Sequence, residues 1–202
     1  MRNEPFLPRR HSVRLPHFDY AQPGQYFVTI CVHNMKPLFG KVVGHEVALS
    51  DLGRIAENCW IEIPSHFPNV HGGPQVTMPD HVHGIVAIQS PRHERAAANG
   101  ENSAKDDRRA RYIVPLREKP SRDFGDAVAG SIATIVGTFK AAVSRKARHY
   151  LTRNSSSIWQ RGYYEHVSRD ERDFQNVCEY ISMNPARRAF ELEYWLNRSA
   201  KR

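Results

Sequence analysis

The sequence predicts a single α+β domain in which one antiparallel sheet packs against helices. A chain of 202 residues with 40% hydrophobic content is long enough for one compact domain. Strand-like and helix-like segments follow one another in the order β-β-α-β-β with two later helices. The sequence contains no internal repeat and no sign of a second domain.

The first third of the chain contains a basic arm followed by strands. Residues 1–23 are basic and rich in proline, so we expect an extended arm. Gln25–His33, which follows Gly24, is rich in β-branched and aromatic residues and predicts a buried strand. Residues 38–49 form a second strand region interrupted by two glycines, which we interpret as a hairpin partner.

A helix and two further strands come next. Ser50 is a typical N-cap for a helix whose apolar residues recur at helical spacing until Pro64. Strands are predicted at Val70–Met78 and His81–Ile88, and the tight-turn signal Pro79-Asp80 between them indicates an antiparallel pair.

The composition then changes. Residues 89–125 are dense in charge and poor in core-forming residues, which predicts a mobile insertion with a short strand at 112–116. A helix is expected over residues 127–150, with one apolar face and a basic C-terminal half.

The C-terminal part is predicted to hold one more helix. Residues 155–164 are expected to be irregular, and the last helix begins near Ser168 and is ended by Pro185. Residues 186–202 are then a basic tail, which leaves 24–185 as the folded domain.

The charge balance indicates the class of partner. The formal net charge is +8, and nucleic acid is the commonest partner of so basic a domain. Three cysteines without short spacing favour a reducing cytoplasm over a disulfide framework. No segment approaches the roughly 20 apolar residues of a membrane helix, so no membrane association is expected.

Two histidines suggest a metal site. His81 and His83 are two residues apart on a strand, so both imidazoles project from one face while Val82 enters the opposite layer. We expect them to face a solvent-accessible pocket and to bind a divalent cation, Mg²⁺ or Mn²⁺. The alternative is a pair of strand histidines on a wet face.

The last predicted helix supplies a possible nucleophile. Tyr180 and Asn184 are one turn apart on one helix face, so a phenol and an amide oxygen could reach the same cation. Taken alone, Tyr180 could equally be a core aromatic and Asn184 a C-terminal cap before Pro185.

Three motifs together carry a family resemblance. They are Pro-Asp-His-Val-His-Gly-Ile at 79–85, the stretch Ile-Trp-Gln-Arg-Gly-Tyr-Tyr-Glu-His-Val at 158–167, and Tyr-Ile-x-x-Asn-Pro at 180–185. In this order they resemble the one-tyrosine transposases of the HUH (His-hydrophobe-His) nuclease superfamily, and more narrowly the REP-associated tyrosine transposases, which act on palindromic repeats in bacterial genomes. The resemblance runs from Gly24 to Pro185 apart from the insertion.

The resemblance implies a ferredoxin-like sheet that carries the two histidines and a packed C-terminal helix that carries the tyrosine. It implies a metal-assisted transesterification on single-stranded DNA or DNA hairpins, leaving a 5′-phosphotyrosine and a free 3′-hydroxyl. Carried over by position, His81 and His83 are metal ligands, Tyr180 is the nucleophile and Asn184 is the third ligand. Relatives of this kind exist as monomers and as homodimers.

Further residues are candidates for DNA binding or for orienting the site. Glu165 and His166 are candidates for orienting it, or for accepting the tyrosine proton. Tyr163 and Tyr164 are alternative nucleophiles, but neither has a ligand-type residue four positions later. The DNA-binding candidates are basic, polar or aromatic: Arg9, Arg10, Arg14, Lys140, Arg145, Lys146, Trp159, Gln160 and Arg161.

Two other functions remain open from the sequence. One is a hairpin-binding protein descended from a transposase that no longer cleaves DNA. The other is a metal-dependent phosphoesterase that uses activated water, in which Tyr180 would be structural.

Overall fold

The computed structural model describes residues 18–90, 128–150 and 157–199. Its strands are β1 (Gly24–Cys31), β2 (Gly40–Val43), β3 (Glu46–Leu49), β4 (Val70–Thr77), β5 (His81–Ile88) and β6 (Tyr164–Val167). Its helices are α1 (Asp51–Ile61), α2 (Ile63–His66), α3 (Ile132–Lys146) and α4 (Glu171–Ser199). Residues 1–17 of the predicted arm, most of the insertion and its short strand at 112–116 lie outside the described residues. Residues 18–23 belong to the domain rather than to an extended arm, because Phe18 is buried in the hydrophobic core.

The main sheet has four strands in the order β4-β5-β1-β6, and every neighbouring pair is antiparallel. Along the chain its elements run β1-α1-β4-β5-α3-β6. This order of elements and strands is the ferredoxin-like topology, so the expected α+β class and sheet are confirmed.

Alternation along the central strands separates the two faces of the sheet. On β1, Tyr26, Val28 and Ile30 are fully buried in the main core. Val82 and Val86 of β5 join that core, together with apolar residues of α1 and α3. Burial of this apolar surface is the main favourable contribution to the fold. The opposite face carries Phe27 and His83, and α4 covers it through Tyr180.

Two elements differ from expectation. The region 38–49 is not a partner of β1, because β2 and β3 pair with each other in a separate two-stranded sheet. The strand β6 was not predicted: it begins at Tyr164, where the segment expected to be irregular ends, and it pairs with β1 at the sheet edge. The strand is hard to detect because the buried position Glu165 is charged, which masks the apolar alternation.

The prediction that Pro185 ends the last helix is wrong, since α4 continues to Ser199 with Pro185 inside it. A proline interior to a helix loses one hydrogen bond and crowds the preceding turn, at a cost of about 3 kcal/mol. Tertiary contacts on both sides offset this cost, because Ile181 and Ala189 are buried and Arg188 forms an ion pair with Asp80. Residues 186–199 are therefore helix rather than tail.

All three cysteines are free thiols, as expected. In the parts of the chain that the structure describes, no helix is both long and apolar enough to span a bilayer.

Gly84 permits a close contact between the sheet and α1. A Cβ atom at this position would lie 2.7 Å from Cη2 of Trp60, whose ring also packs edge-on against Phe139. We predict that Gly84→Ala lowers the free energy of unfolding by about 1–3 kcal/mol through overpacking. Urea denaturation followed by tryptophan fluorescence measures the change.

Gly137→Ala is the matched control, because an added Cβ at this exposed position in α3 meets nothing within 4 Å. It should raise the free energy of unfolding by about 0.5–1 kcal/mol, since alanine is the better helix former. Equal unfolding midpoints for Gly84→Ala and the native chain would contradict the packing of Trp60 on β5.

Candidate active site

The strand geometry brings His81 and His83 together at the start of β5. Both project from the face opposite to the main core, and Val82 between them is fully buried in that core, as predicted. The turn before them is anchored by backbone hydrogen bonds: the N–H groups of Val32 and Phe39 donate to the carbonyls of Asp80 and Pro79, at 2.8 and 2.9 Å. The backbone just before the pair is therefore fixed by hydrogen bonds to two other segments of the chain.

Each imidazole is oriented through its Nδ1 atom. His81 Nδ1 lies 2.6 Å from Asp80 Oδ1, and His83 Nδ1 lies 2.8 Å from Thr29 Oγ1. The two Nε2 atoms face each other at 2.9 Å. When both Nδ1 atoms donate their protons to these oxygens, both Nε2 atoms carry lone pairs that repel unless a cation lies between them.

The spacing suits a shared metal ion. Nitrogen ligands about 2.1 Å from a cation and at right angles to each other are about 3 Å apart, close to the observed separation. The described residues contain no group of three or more His, Cys, Asp or Glu side chains placed to hold a metal. The histidine pair would need further oxygen ligands from an amide, water or substrate phosphate.

The protonation state of His83 favours cation binding. Burial, together with the neighbouring His81, lowers the pKa of His83 to about 3, so its imidazole is neutral. Burial alone would raise the pKa of Asp80, but the hydrogen bond to His81 and the charges of His81 and Arg188 lower it overall. The neutral imidazole is the form in which histidine ligates metals.

His83 is less accessible than the sequence suggested. It is only 4% exposed, so the expectation that both imidazoles face solvent is wrong for this residue. The reason is aromatic packing: Phe27 stacks on its ring at 5.4 Å, and the edge of Tyr180 approaches it at 5.2 Å, both measured between centroids. His81 is half-buried and remains the more open of the two.

Tyr180 is brought to the histidine pair by α4. Its hydroxyl oxygen lies 3.5 Å from His83 Nε2. The residue is 37% exposed, and its ring meets that of Phe27 nearly perpendicularly, with centroids 5.9 Å apart. The hydroxyl is thus directed at the Nε2 edge of His83, and the residue remains partly open to solvent.

Asn184 lies one turn further along α4 and is buried. Within the described residues it forms no hydrogen bond with either histidine. Its position is on the stripe of α4 that includes Ile181 and Ala189, both of which are also buried. Its role as third ligand therefore remains a prediction from the sequence.

Four of the DNA-binding candidates line one surface groove. Lys140, Trp159, Gln160 and Arg161 border it together with His33, and its volume is about 550 Å³. Trp159 could stack on bases or hold the loop before the last helix; the second role fits its ring, which is buried against Phe39 and Phe139 with centroid distances of 5.4 and 5.5 Å. The indole holds the loop before β6, as its N–H donates to the Lys140 carbonyl.

The basic candidates differ in whether their charged groups already have partners within the protein. The Lys140 ammonium donates to the backbone carbonyls of Gln160 and Gly162, and burial lowers its pKa. Lys146 forms an exposed ion pair with Glu62 at 2.7 Å. The other basic candidates within the described residues are Arg145 and Arg161, and both are exposed. Arg9, Arg10 and Arg14 lie outside the described residues.

The two site-orienting candidates lie on opposite faces of the sheet. Glu165 pairs with Val28, which belongs to the main core, so it points away from the histidines and cannot orient them. His166 pairs with Phe27 on the site face, and its Nε2 lies 2.8 Å from an Asp173 carboxylate oxygen. That contact ties β6 to the first turn of α4.

The alternative tyrosines are further from the histidines along the sheet. Tyr163 packs against the main core. Tyr164 is exposed on the edge strand β6, where it pairs with Thr29 on the side of β1 away from β5. Among these tyrosines, Tyr180 is the one with its hydroxyl at His83.

Sequence reasoning missed the residues that frame the site. Asp80 was visible beside His81 in the motif, but its contact to Arg188 depends on how α4 docks. Phe27 and Thr29 alternate with core residues on β1, so their face could be inferred, but not which of them meets His83. The register of β1 against β5 determines which of these residues contacts His83.

Comparison with known proteins identifies relatives. No protein-family model matches the chain. It is 35% identical over 181 residues to an uncharacterised protein of Haemophilus influenzae, covering 89% of each chain. It is 30% identical over 83 residues to a second Haemophilus influenzae protein, provisionally named a REP-associated tyrosine transposase, covering 39% of this chain and 46% of the relative.

A solved structure shares the fold. It is a REP-associated tyrosine transposase bound to a REP hairpin, with a TM-score of 0.51 and 16% identity, covering 88% of this chain and 74% of that one. The likeness extends across most of the chain. The chain therefore belongs to the family of the uncharacterised Haemophilus influenzae protein, and it resembles the REP-associated tyrosine transposases in fold and in part of its sequence.

Proposed function

We propose that this protein is a metal-dependent single-strand DNA endonuclease and strand transferase that acts on hairpin DNA in the cytoplasm through a 5′-phosphotyrosine intermediate. The observation that carries the proposal is the position of the Tyr180 hydroxyl, 3.5 Å from an imidazole nitrogen that itself lies 2.9 Å from a second one. A phenol at the open edge of a candidate metal site is the arrangement that tyrosine attack on a phosphate requires.

His81 and His83 would hold the cation, Mg²⁺ or Mn²⁺, with Asn184 as the proposed third ligand. Such a cation would act as a Lewis acid on the scissile phosphate and stabilise charge on the leaving oxygen. Asp80 and Thr29 keep the two imidazoles in the orientation that directs both Nε2 atoms to one point.

The reaction is a balanced transesterification. The Tyr180 oxygen forms a bond to phosphorus and loses its proton, while the P–O3′ bond breaks and the 3′-oxygen gains a proton. The products are a 5′-phosphotyrosine and a free 3′-hydroxyl. Because one phosphoester replaces another, a second 3′-hydroxyl can reverse the step on a different strand without ATP.

Hairpin DNA is the proposed substrate for two reasons. The structural relative is bound to a REP hairpin, and the fold match covers 88% of this chain. The net charge of +8 is positive, as neutralisation of DNA phosphates requires. A hairpin with single-stranded flanks combines a paired stem for binding with an unpaired phosphate for attack.

A non-cleaving hairpin-binding protein remains the second candidate. The burial of His83 supports this candidate, because a histidine with a purely structural role would also be buried. The presence of both Tyr180 and the paired Nε2 atoms at one point favours cleavage, because hairpin binding alone requires neither.

Replacing Tyr180 by phenylalanine tests the nucleophile. Phenylalanine keeps the ring contacts with Phe27 and His83 and removes only the hydroxyl. We expect Tyr180→Phe to abolish both the covalent protein–DNA adduct and strand cleavage, with an unchanged unfolding midpoint. A denaturing gel with a labelled hairpin carrying single-stranded flanks and Mn²⁺ measures both products.

Tyr164→Phe is the matched control, since Tyr164 is an exposed tyrosine on β6 of the sheet that carries the histidines, and it should retain the adduct. Cleavage without an adduct in Tyr180→Phe would favour the activated-water phosphoesterase instead. An adduct that persists in Tyr180→Phe would place the nucleophile elsewhere.

Replacing His81 tests the metal site. Because His81 is half-buried at the start of β5, His81→Ala leaves a smaller cavity than truncation of the buried His83 would. We expect adduct formation to fall by at least about 100-fold and Mn²⁺ binding to weaken measurably by calorimetry. Asp80→Asn should weaken Mn²⁺ binding about 10–100-fold, because the orienting carboxylate is lost.

His71→Ala is the histidine control, because His71 is exposed on the edge strand β4 and lies outside the site. It should bind Mn²⁺ and form the adduct as the native chain does. Native Mn²⁺ affinity in a folded His81→Ala variant would show that the histidine pair is structural.

A further inference from the structure

Arg187 lies against the face of the candidate nucleophile. Its guanidinium carbon is 5.7 Å from the centroid of the Tyr180 ring, within the range of a cation–π contact. The two residues are seven positions apart on α4, nearly two helical turns. Side chains on a helix lean toward its N-terminus, so Arg187 reaches back over the turn that carries Tyr180.

The charge of Arg187 is available to a ligand. Its neighbour Arg188 is engaged by Asp80 at 3.4 Å and by Glu191 at 3.6 Å. Arg187 is exposed and, within the part of the chain that the structure describes, has no carboxylate partner. Contact with a ring face leaves the N–H edges of the guanidinium plane free to donate.

We propose that Arg187 binds the nonbridging oxygens of the phosphate that Tyr180 attacks, an inference that rests on the proposed function. Attack requires the phosphorus atom to come within about 3–3.5 Å of the Tyr180 oxygen. That oxygen lies at the histidine pair, and the ring behind it is covered by a free guanidinium. A phosphate at this point has the histidine pair on one side and Arg187 within reach on the other.

The chemistry favours arginine for this role. A guanidinium donates two parallel N–H groups to two phosphate oxygens, which positions the phosphate as well as neutralising it. Charge that develops on these oxygens during attack is stabilised by donors already in place. Arg187 would thus complete a site whose histidines supply no hydrogen-bond donor to the phosphate once both Nε2 atoms ligate a cation.

A purely structural role would have different consequences. If Arg187 only held the Tyr180 ring in place, then free guanidinium ions added to an Arg187→Ala variant would not restore the reaction. Lysine would also be a fair substitute in a structural role, because an ammonium makes the same kind of cation–π contact. In phosphate binding, lysine supplies a point charge without the bidentate geometry.

The experiment compares Arg187→Ala, Arg187→Lys and Arg172→Ala with the native chain, using a labelled hairpin with single-stranded flanks and Mn²⁺. Arg172 is an exposed arginine in the first turn of α4, so its variant loses the same charge away from the site. We expect the single-turnover rate of adduct formation to fall about 100–1,000-fold in Arg187→Ala, with partial activity in Arg187→Lys. Hairpin affinity should match that of Arg172→Ala, and added guanidinium chloride at non-denaturing concentration should partly restore the rate.

The outcomes separate this inference from the proposed function. An adduct in the native chain combined with equal rates for Arg187→Ala and Arg172→Ala overturns the role of Arg187 alone. A slow Arg187→Ala variant that guanidinium does not rescue, while Arg187→Lys is fully active, also overturns it in favour of a structural contact. Absence of the adduct from the native chain overturns the proposed function and this inference together.

Discussion

The antiparallel register between β1 and β5 is the constraint on which the candidate site depends. It sets Thr29 opposite His83 and Cys31 opposite His81, so the hydroxyl that orients His83 comes from the neighbouring strand. Because side chains alternate along a strand, the same register directs Val28 and Val82 into the core under α1 and α3. A shift by one residue would bury both histidines among apolar side chains, where their unpaired nitrogens would be costly.

Asp80 links this sheet to the helix above it. Its carboxylate contacts His81 through one oxygen and Arg188 of α4 through the other, while its backbone carbonyl accepts a hydrogen bond from Val32. The end of β1, the first histidine and α4 therefore share one buried residue. This link fixes the position of Tyr180 relative to the histidine pair, as the proposed attack of Tyr180 on a phosphate held at the pair would require.

Aromatic packing gives the site its electrostatic character. Phe27 and Tyr180 cover His83, and the resulting burial keeps its imidazole neutral. The cations, in contrast, lie toward solvent, on Arg187 and Arg188 of α4 and on Arg161 beside the groove. A neutral, buried His83 beneath exposed positive charge is consistent with the proposed binding of a metal ion and a polyanion.

The sequence by itself determined the local elements, because their signals are local. The period-two pattern of β5 placed His81 and His83 on one face, and the Ser50 cap and the strands flanking the Pro79-Asp80 turn were found where they were expected. Tertiary structure decided everything that depends on partners distant in the chain. It carried α4 through Pro185, added the strand β6, turned Glu165 away from the site and buried Trp159. It also brought Arg187 over Tyr180 on a helix that the proline alone would have ended, because contacts made by Ile181, Arg188 and Ala189 outweigh a local rule.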